Sequence, residues 1–256
     1  MNPGEHQLMA RVEADHWWYR GLRDALAAVL ARLEPALPAN PRVLDAGCGT
    51  GENLRFLRER LDPSYLGGFD PSEEALELAR EKAPGADIYP SDICDPEIHA
   101  ERLDLVTSLD VLYIPGAERA MSGLRTLVSR LAPHGRLVLN LPAYDWLYSE
   151  HDVAIHTAER YTRSAVAAIL ADLGLSVEIL SYRLCFLFPL VVVSRLPGLW
   201  KARRVSAASA RSDLHRVPGA LASRSLLASL KAENALIARG VRLPWGSSIF
   251  AVGRKA

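Results

Sequence analysis

A turn rich in glycine holds the residues best suited to chemistry. Asp45, Gly47, Gly49 and Gly51 stand at alternate positions after the short strand pattern that begins at 42. Glycine lets the backbone adopt positive φ and approach a ligand closely, and a helix that begins after the turn offers unpaired N–H groups. The spacing therefore predicts a ligand-binding turn between a strand and a helix.

The position of Asp45 distinguishes between the cofactors that such a turn can hold. Dinucleotide-binding turns have the spacing G-x-G-x-x-G and place pyrophosphate on the helix N-terminus. This chain has G-x-G-x-G, with a carboxylate two residues ahead of the first glycine. That carboxylate would repel a pyrophosphate and favour a ligand with a cationic amino-acid end. The turn thus favours S-adenosylmethionine over NAD.

Two further acids follow the next two predicted strands. Asp70 stands 25 residues after Asp45, and Asp92 follows the third strand. A carboxylate at the end of the second strand can accept both ribose hydroxyl protons. Asp92 could accept a hydrogen bond from the adenine amino group while Ile93 packs on the ring. The alternative for each acid is a helix cap or a solvated loop residue.

The elements that must position these acids alternate between strands and helices. Helical patterns cover 52–60, 72–83, 119–131 and 163–173, and strand patterns cover 42–45, 65–69, 87–89, 103–109, 136–141, 175–182 and 248–252. This order predicts an α/β fold with a doubly wound, mostly parallel, seven-stranded Rossmann-like sheet. Ligands bind such sheets at the carboxyl ends of the strands, where the strand order reverses. The turn and both later acids fall at such ends.

A helix is predicted over 8–33, ahead of the sheet, with a break near Gly21 after the cluster 16–20. The aromatic residues of this cluster have two open interpretations. They either fix the helix to the core, or they form a lid over the cofactor. In the second case Tyr19 and Arg20 would reach the carboxylate of the cofactor, which an arginine fork suits.

The chain resembles the Rossmann-fold (class I) S-adenosylmethionine-dependent methyltransferases over about residues 40–182. The motifs that carry the resemblance are V-L-D-A-G-C-G-T-G at 43–51, G-F-D-P-S at 68–72, S-D-I at 91–93, D-L-V at 104–106 and L-A-P-H-G at 131–135. The resemblance implies S-adenosylmethionine as cofactor and S-adenosylhomocysteine as product. It places the methionine end at the glycine turn, the ribose at the second strand and the adenine after the third. The residues expected to bind the cofactor are Tyr19, Arg20, Asp45, Gly47, Cys48, Gly49, Asp70, Pro71, Asp92, Ile93 and Leu109.

A narrower resemblance is to a bacterial small-molecule subfamily that carries H-W-W-Y/F-R ahead of the fold, as at 16–20, and a segment similar to 142–161. This match says little about the acceptor. The chain departs from many relatives at Tyr113 and Ile114, which stand where those relatives have Glu-His. A histidine base is therefore not expected at that position.

The loop predicted at 142–162 faces the cofactor in this fold and contains His151, His156 and Tyr161. Methyl transfer is an in-line displacement at an activated carbon, so positioning supplies much of the rate. A base is needed only if the acceptor must first lose a proton, and histidine is its commonest form. Either histidine is a candidate base, with Tyr161 as an orienting group; loop-packing hydrogen bonds are the alternative. A metal site that includes Asp152 is a weaker alternative, and no metal is predicted. The residues expected to line the acceptor pocket are Trp17, Tyr113, Tyr144, Trp146 and Tyr148.

Composition and charge narrow the class of protein. The 256 residues include 30 basic, 30 acidic and three cysteine residues. This is typical of a globular protein in a reducing cytoplasm, and no secretory signal is predicted at the N-terminus. From residue 195 to the end, 12 basic residues stand against 2 acidic ones. This asymmetry is either a solvated face or a surface that meets an acidic substrate or anionic lipid.

Three parts of the chain are expected: an N-terminal helical lid at 1–38, a cofactor-binding domain at 39–183 and 247–256, and a helical insert at 184–246. The insert begins with the apolar run 184–193, which is too short to span a membrane. Buried core and an interfacial element that contacts lipid are its two interpretations. A flexible or lid segment is expected at 201–216. Peripheral membrane contact is considered for 184–216.

Together these features predict a methyltransferase that acts on a small, fairly hydrophobic acceptor, such as a biosynthetic intermediate or a lipid-linked molecule. An enzyme of other chemistry, such as a cyclase, and a non-catalytic S-adenosylmethionine-binding protein are the alternatives. Nucleic acid is not expected as the substrate, because the sequence lacks an Asn/Asp-Pro-Pro-Tyr/Phe motif. Monomer and homodimer both remain open.

Overall fold

A computed structural model describes residues 4–33, 36–113, 117–195 and 218–256. Its strands are β1 (Arg42–Ala46), β2 (Tyr65–Asp70), β3 (Asp87–Pro90), β4 (Leu103–Leu109), β5 (Leu131–Pro142), β6 (Ser176–Arg183) and β7 (Ser248–Arg254). Its helices are α1 (Glu5–Val12), α2 (Trp17–Leu30), α3 (Glu52–Leu61), α4 (Glu73–Lys82), α5 (Ala117–Ser129), α6 (Glu150–Ala154), α7 (Arg163–Asp172), α8 (Phe188–Arg195) and α9 (Ala220–Ala238). A 3₁₀ turn lies at Asp145–Leu147.

The seven strands form one sheet in the order β3-β2-β1-β4-β5-β7-β6. Strands β1 to β5 pair in parallel, whereas β7 runs antiparallel between β5 and β6. The predicted α/β fold class is confirmed. The strand order reverses between β1 and β4, so the crevice expected to bind a ligand lies at the carboxyl ends of these two strands.

Helices cover both faces of the sheet, which explains why the central strands are almost wholly apolar. One core cluster packs β1 and β4 against α5 and α7; it includes Leu44, Val106, Leu124, Leu139 and Leu170. The other packs the opposite face against α2 and α3; it includes Leu26, Val43, Leu54, Leu105 and Val138. The strand ends at the crevice are therefore held on a rigid support.

The N-terminal helix differs from the prediction. Two helices occupy this part, and the break lies at residues 13–16, with Gly21 inside α2. His16 is the N-cap of α2, where its Nδ1 accepts a hydrogen bond from the N–H of Trp18. Gly21 instead allows close packing, since a Cβ there would lie 2.3 Å from Cδ1 of Leu230 in α9.

The start of β5 also differs from the prediction. A helix was expected to reach residue 131 and to stop at 133–135, but α5 ends at Ser129 and β5 begins at Leu131. Between β4 and β5 the register shifts from Leu103↔Leu131 to Leu105↔Arg136. The Pro-His-Gly segment is therefore an irregularity inside a strand rather than a connection between two elements. Pro and Gly signal such a bulge as well as a turn.

The insert expected at 184–246 is described in part, and the segment 201–216 lies outside the described residues. Helix α9 packs closely on α2: Asn234 Nδ2 donates to the carbonyl of Gly21 at 2.8 Å. Glu233 accepts hydrogen bonds from the N–H groups of Leu184, Cys185 and Phe186 at 2.6–3.1 Å. Helix α9 is thus bound both to α2 and to the residues at the start of the insert.

Helix α8 does not form the buried core that was one interpretation of the apolar run. None of its eight residues is buried, and Leu190 and Val193 are 60% and 62% exposed. Among the described residues, no helix has the length and apolar character needed to cross a membrane. Leu184 and Cys185, at the start of the run, are buried as the core interpretation expects, so the interfacial interpretation remains for α8 alone.

Candidate functional site

The glycine turn between β1 and α3 has the backbone that the sequence predicts. Gly47, Gly49 and Gly51 have φ of 81°, 51° and 85°. A Cβ at Gly47 would lie 2.4 Å from Cγ2 of Val111, and one at Gly51 would lie 2.6 Å from the Cα of Ala79. Larger residues would therefore be strained by conformation and by space.

Asp45 lies at the end of β1 and is 1% exposed. Its Oδ1 accepts a hydrogen bond from Oγ1 of Thr107 at 2.5 Å, while its Oδ2 is buried without a hydrogen-bond partner among the described residues. Burial raises the pKa of Asp45 to about 7, and the Thr107 hydroxyl opposes that rise. A buried acceptor without a donor costs free energy. An ammonium group at this position would supply both a donor and a countercharge, so the residues fit the amino-acid end of S-adenosylmethionine.

Asp70 at the end of β2 ties the glycine turn to its own strand. Its Oδ2 accepts from the N–H of Gly49 at 3.1 Å, and its Oδ1 accepts from the N–H of Ser72 at 3.0 Å. Burial raises the pKa of Asp70, and these two N–H groups oppose the rise. Each carboxylate oxygen keeps a second lone pair, which leaves capacity for two ribose hydroxyls.

The two residues expected around the adenine, Asp92 and Ile93, lie in different environments. Asp92 is exposed; its Oδ1 accepts from the N–H of Cys94 at 2.9 Å, and its Oδ2 lies 3.7 Å from Nη2 of Arg119. Ile93 is buried in the core cluster of β1 and α5. The hydrogen bond from Cys94 fits the alternative that Asp92 caps its own loop. The role of Asp92 and Ile93 in binding adenine stays a prediction.

Three further residues expected to bind the cofactor surround the turn in different environments. Cys48 is buried against Gly68, and Pro71 is exposed immediately after Asp70. Leu109 is buried in the cluster that packs under α2. Their contacts support the shape of the turn, and their cofactor contacts stay predictions.

Helix α1 lies over the glycine turn. The Met9 Cε would lie 3.3 Å from a Cβ at Gly49. Glu13, just after α1, accepts a hydrogen bond from Oγ1 of Thr50 at 2.5 Å and pairs with Nζ of Lys82. The described part of the N-terminal segment therefore contacts the cofactor turn directly, as expected of a lid.

Helix α2 sends consecutive side chains in different directions. Tyr19 is half-buried and packs edge-on against Trp18, with ring centroids 5.0 Å apart; burial raises its pKa, and the carboxylates of Glu13 and Asp110 add to that rise. Arg20 is exposed and lines a shallow groove with Trp17 and with Arg224 of α9. The structure therefore places Tyr19 near the crevice, but it does not bring Trp17 and Arg20 to the same place.

The resemblance places Asp110, with Leu109, at the end of the fourth strand beside the cofactor, but assigns it no role; in the structure it directly follows β4. Asn140 Nδ2 donates to both of its carboxylate oxygens at 2.9 Å, and the N–H of Asp110 donates to the carbonyl of Asn140 at 2.9 Å. Burial raises the pKa of Asp110 to about 7, opposed by Asn140 and by the charges of Arg183 and Arg160. Tyr113 follows three residues later; burial raises its pKa, and the charge of Asp110 adds to that rise.

A polar chain connects this group to α9 and α2. Arg183 is fully buried; its Nη1 lies 3.5 Å from Oδ1 of Asn140, and its Nε lies 3.4 Å from Oδ1 of Asn234. Asn234 Nδ2 also donates to Oδ2 of Asp24 at 3.1 Å. These polar contacts connect Asp110 to β5, β6, α9 and α2. The orientation of Asp110 therefore depends on how α9 and α2 pack against the sheet.

The segment after β5 is held by an ion-pair cluster around Asp152. Arg160 donates to both carboxylate oxygens at 2.9 and 3.0 Å, and Nη1 of Arg195 lies 3.2 Å from Oδ2. Burial would raise the pKa of Asp152, but Arg160 and Arg195 together lower it below its ordinary value. Because Asp152 is already paired, it is poorly placed as a metal ligand. Among the described residues there is no group of three or more side chains suited to holding a metal ion.

The three residues predicted to act in catalysis occupy different positions around this cluster. His151 is half-buried in α6, whereas His156 is exposed and has a φ of 61°. The Tyr161 hydroxyl donates to the carbonyl of Leu112 at 2.5 Å. This bond fixes the segment to the end of β4, which is the loop-packing alternative for Tyr161.

Aromatic side chains cluster beside this segment. Tyr144 stacks on Tyr182 and on Trp146, with ring centroids 5.1 and 5.7 Å apart, and Phe188 of α8 completes the group at 6.0 Å. Trp146 is half-exposed. Tyr148 is half-buried; burial raises its pKa, the charge of Asp152 adds to that rise and the charge of Arg160 opposes it. Tyr144 and Trp146 thus form one apolar wall.

Sequence comparison finds relatives that are described as methyltransferases. A family model described as a methyltransferase domain matches residues 17–178. The trans-aconitate 2-methyltransferase of an Acidovorax species is 30% identical over 148 residues, which is 56% of this chain and 51% of the relative. The enzyme of the same name from Streptomyces coelicolor is 36% identical over 124 residues, 44% of this chain and 39% of the relative. The chain therefore spans about half, or less, of the length of these curated relatives.

Structural comparison supports the same fold. The structure of an S-adenosylmethionine-dependent methyltransferase from Mesorhizobium loti superposes with a TM-score of 0.57 at 16% identity, covering 95% of this chain and all of that one. A TehB-like methyltransferase from Corynebacterium glutamicum gives 0.54 at 15% identity, with both chains fully covered. At this level of identity the likeness is one of fold.

Proposed function

The chain belongs to the class I S-adenosylmethionine-dependent methyltransferases, and from that premise we propose that it methylates a small, fairly hydrophobic acceptor. The orphaned Oδ2 of Asp45, buried beside a glycine turn, is the observation that carries the cofactor half of this proposal. When bound, S-adenosylmethionine supplies a methyl carbon that an acceptor lone pair attacks, while the electrons of the broken C–S bond stay on sulfur. Asp45 binds the ammonium group and Asp70 the ribose hydroxyls, while the glycines admit the backbone close to the ligand.

The acceptor half rests on the apolar wall of Tyr144, Trp146 and Phe188. Aromatic faces bury large apolar areas and prefer flat or aliphatic partners. Trp146 is half-exposed, so part of this wall is available to a ligand. We propose that the wall contacts the hydrophobic part of the acceptor, and that Tyr113 and Tyr148 lie on its polar side.

The exposed face of α8 extends this wall outward. Leu190 and Val193 are exposed there, and the sequence from residue 195 onward contains 12 basic and 2 acidic residues. Apolar side chains beside basic ones favour the surface of an anionic bilayer. This combination supports a lipid-linked acceptor that is reached by peripheral contact with a membrane.

A histidine of the segment after β5 is proposed as the base that takes the proton of the acceptor. His151 is the better candidate, because it is half-buried and next to Asp152, whereas His156 is exposed. If His151 is the base, His151→Gln should lower kcat and remove an acidic limb of the pH profile, while the matched variant His156→Gln should change neither.

The names of the relatives introduce a second acceptor class. Two of them are named trans-aconitate 2-methyltransferases, and trans-aconitate is a small polyacid. This chain aligns with about half of the length of these relatives, or less. A first panel should therefore pair trans-aconitate with apolar alcohols, amines and phenols of similar size.

The test is transfer of the labelled methyl group of S-adenosylmethionine to members of that panel, with S-adenosylhomocysteine measured as the second product. We expect turnover with an apolar acceptor and a higher KM for it in Trp146→Ala, with kcat less affected. Binding of S-adenosylhomocysteine without its formation from any acceptor would contradict methyl transfer. It would favour the cyclase or the non-catalytic alternative.

A further inference from the structure

Asp110 is a partly buried carboxylate that the proposed function does not use. It directly follows β4, and its neighbour Val111 fills the space beside Gly47, where a Cβ would meet Cγ2 of Val111 at 2.4 Å. Strand β4 pairs with β1, which carries Asp45. Asp110 therefore lies at the strand end next to the turn that is proposed to bind the methionine end of the cofactor.

The surroundings of Asp110 hold its carboxylate in one orientation. Asn140 donates to both oxygens at 2.9 Å, and the backbone at Asp110 has the left-handed φ of 58°. A left-handed conformation is uncommon for a residue with a side chain and persists where its surroundings enforce it. Asn140 uses one lone pair on each oxygen, so a second lone pair on each remains for a ligand.

No ion pair compensates this carboxylate at close range. Within the described ranges, no Lys, Arg or His nitrogen lies within 4.0 Å of Asp110, and Arg183 reaches it only through Asn140. A buried carboxylate without a paired cation destabilises a fold. The two bonds from Asn140 require an acceptor at both oxygens of residue 110, but a neutral amide supplies no countercharge, so the charge of Asp110 is left for a ligand to compensate.

We infer that Asp110, held by Asn140, accepts a hydrogen bond from the O–H or N–H group that is methylated and so orients it toward the methyl carbon. The inference rests on the proposed function and specifies its acceptor class. The acceptor group is a hydroxyl or an amine, because a carboxylate would be repelled by Asp110. On this basis trans-aconitate is a poor acceptor for this chain.

Sinefungin tests this placement without knowledge of the acceptor. It matches S-adenosylhomocysteine except that a CH group bearing an amino group replaces the sulfur, which puts the amino nitrogen at the position of the transferred methyl. The ratio of the two affinities, measured by calorimetry, therefore reports on groups near that position alone. We expect Asp110→Asn to lower the preference for sinefungin about tenfold, as for one charge-assisted hydrogen bond lost, with the affinity for S-adenosylhomocysteine within about threefold of wild type.

Asp70→Asn is the matched control. It should weaken both ligands alike and leave their ratio unchanged, because both carry the same ribose. An exposed acid far from the crevice, Asp172, supplies a second control: Asp172→Asn should change neither affinity. A ratio that Asp110→Asn leaves at the wild-type value overturns the inference. Failure of either ligand to bind wild type would instead overturn the proposed function.

The wild-type protein provides a test that does not depend on the variant folding. Protonation of Asp110 removes its attraction for the amino group, so the preference for sinefungin should fall as the pH falls from 8 to 6. The groups that face Asp110 are Tyr19 of α2, Tyr113, Arg160 and Arg183, which keep their charge state over this range. Protonation of Asp45 affects both ligands equally and cancels in the ratio. A ratio independent of pH counts against the inference.

Discussion

Oγ1 of Thr107 lies 2.5 Å from Oδ1 of Asp45, while Oδ2 of the same carboxylate is buried without a hydrogen-bond partner among the described residues. Asp45→Asn should therefore weaken binding of S-adenosylhomocysteine by about 1.5–3 kcal/mol, because a charged hydrogen bond to the ammonium group is lost. Calorimetry at pH 8 measures this directly. Asp172→Asn, on the surface, is the control and should bind as wild type does. Equal affinities for wild type and Asp45→Asn would remove Asp45 from the site.

Cofactor binding should depend on pH through the same carboxylate. Burial raises the pKa of Asp45 to about 7, so the free protein carries a proton there at lower pH, and that proton must leave before an ammonium group binds. Affinity is therefore full above this pKa and should fall about tenfold between pH 8 and pH 6, the loss expected when roughly a tenth of the carboxylate is ionised. Asp45→Asn should flatten the profile. Thr107→Val removes the bond that opposes the rise and should move the midpoint upward.

Asp70→Ala should weaken cofactor binding by about 1–3 kcal/mol, as for a buried acceptor removed from its donors. Part of this loss comes from the turn itself, because Asp70 also accepts the N–H of Gly49. A 2′-deoxy analogue of S-adenosylhomocysteine separates the two contributions. Wild type should bind the analogue more weakly than the parent compound, and Asp70→Ala should bind both equally. An undiminished preference for the parent compound in Asp70→Ala would contradict the ribose assignment.

The glycine turn and the strand ends could be predicted because they are local patterns. Asp45, Gly47 and Gly49 are adjacent in sequence, and Asp70 directly ends an apolar run. The pairing of Asp110 with Asn140 could not be predicted in this way. It arises from the register Leu109↔Asn140 between two strands, which apolar periodicity does not determine.

The direction in which each side chain of α2 points is the second feature that the sequence did not determine. Trp17, Tyr19 and Arg20 are neighbours in sequence, but successive residues of a helix point about 100° apart. Tyr19 is directed to the crevice, while Arg20 lies in the outer groove beside Arg224. The pattern of an aromatic cluster predicted proximity to the core, and only the packing of α2 on α9 determines which member enters the site.

The ion pair between Arg160 and Asp152 should stabilise the segment that carries the histidines. Arg160→Ala removes the bidentate partner of a buried carboxylate but leaves Arg195 beside it, so it should cost about 1.5–3 kcal/mol in the free energy of unfolding, measured by urea denaturation at pH 7. The exposed pair of Arg130 and Glu101 is the control, and Arg130→Ala should cost about 0–1 kcal/mol.

The stabilisation by the pair of Arg160 and Asp152 should depend on pH. Arg160 and Arg195 hold the pKa of Asp152 below its ordinary value. The stabilisation is therefore complete above the pKa of the unfolded chain and is lost as the pH falls through the folded value. The difference in stability between wild type and Arg160→Ala should shrink below about pH 4, since the unfolded pKa of aspartate is near 3.9. A difference that is unchanged at low pH would assign the effect to packing of the arginine rather than to its charge.

Gly21 offers a test of the contact between α2 and α9. Alanine in place of glycine inside a helix normally stabilises by about 1 kcal/mol. Here the added Cβ would lie 2.3 Å from Cδ1 and 3.2 Å from Cβ of Leu230, which is fully buried. Overpacking of a core costs about 1–3 kcal/mol, so Gly21→Ala should be net destabilising by urea denaturation.

Leu230→Ala opens a cavity at the same point. In that background Gly21→Ala should become stabilising, because the new methyl group fills part of the cavity and the helix gains alanine. Since α2 carries Tyr19 into the crevice, the single variant should also weaken binding of S-adenosylhomocysteine, and the double variant should restore part of it. The same cost for Gly21→Ala in both backgrounds would show that Leu230 does not limit how closely the two helices approach.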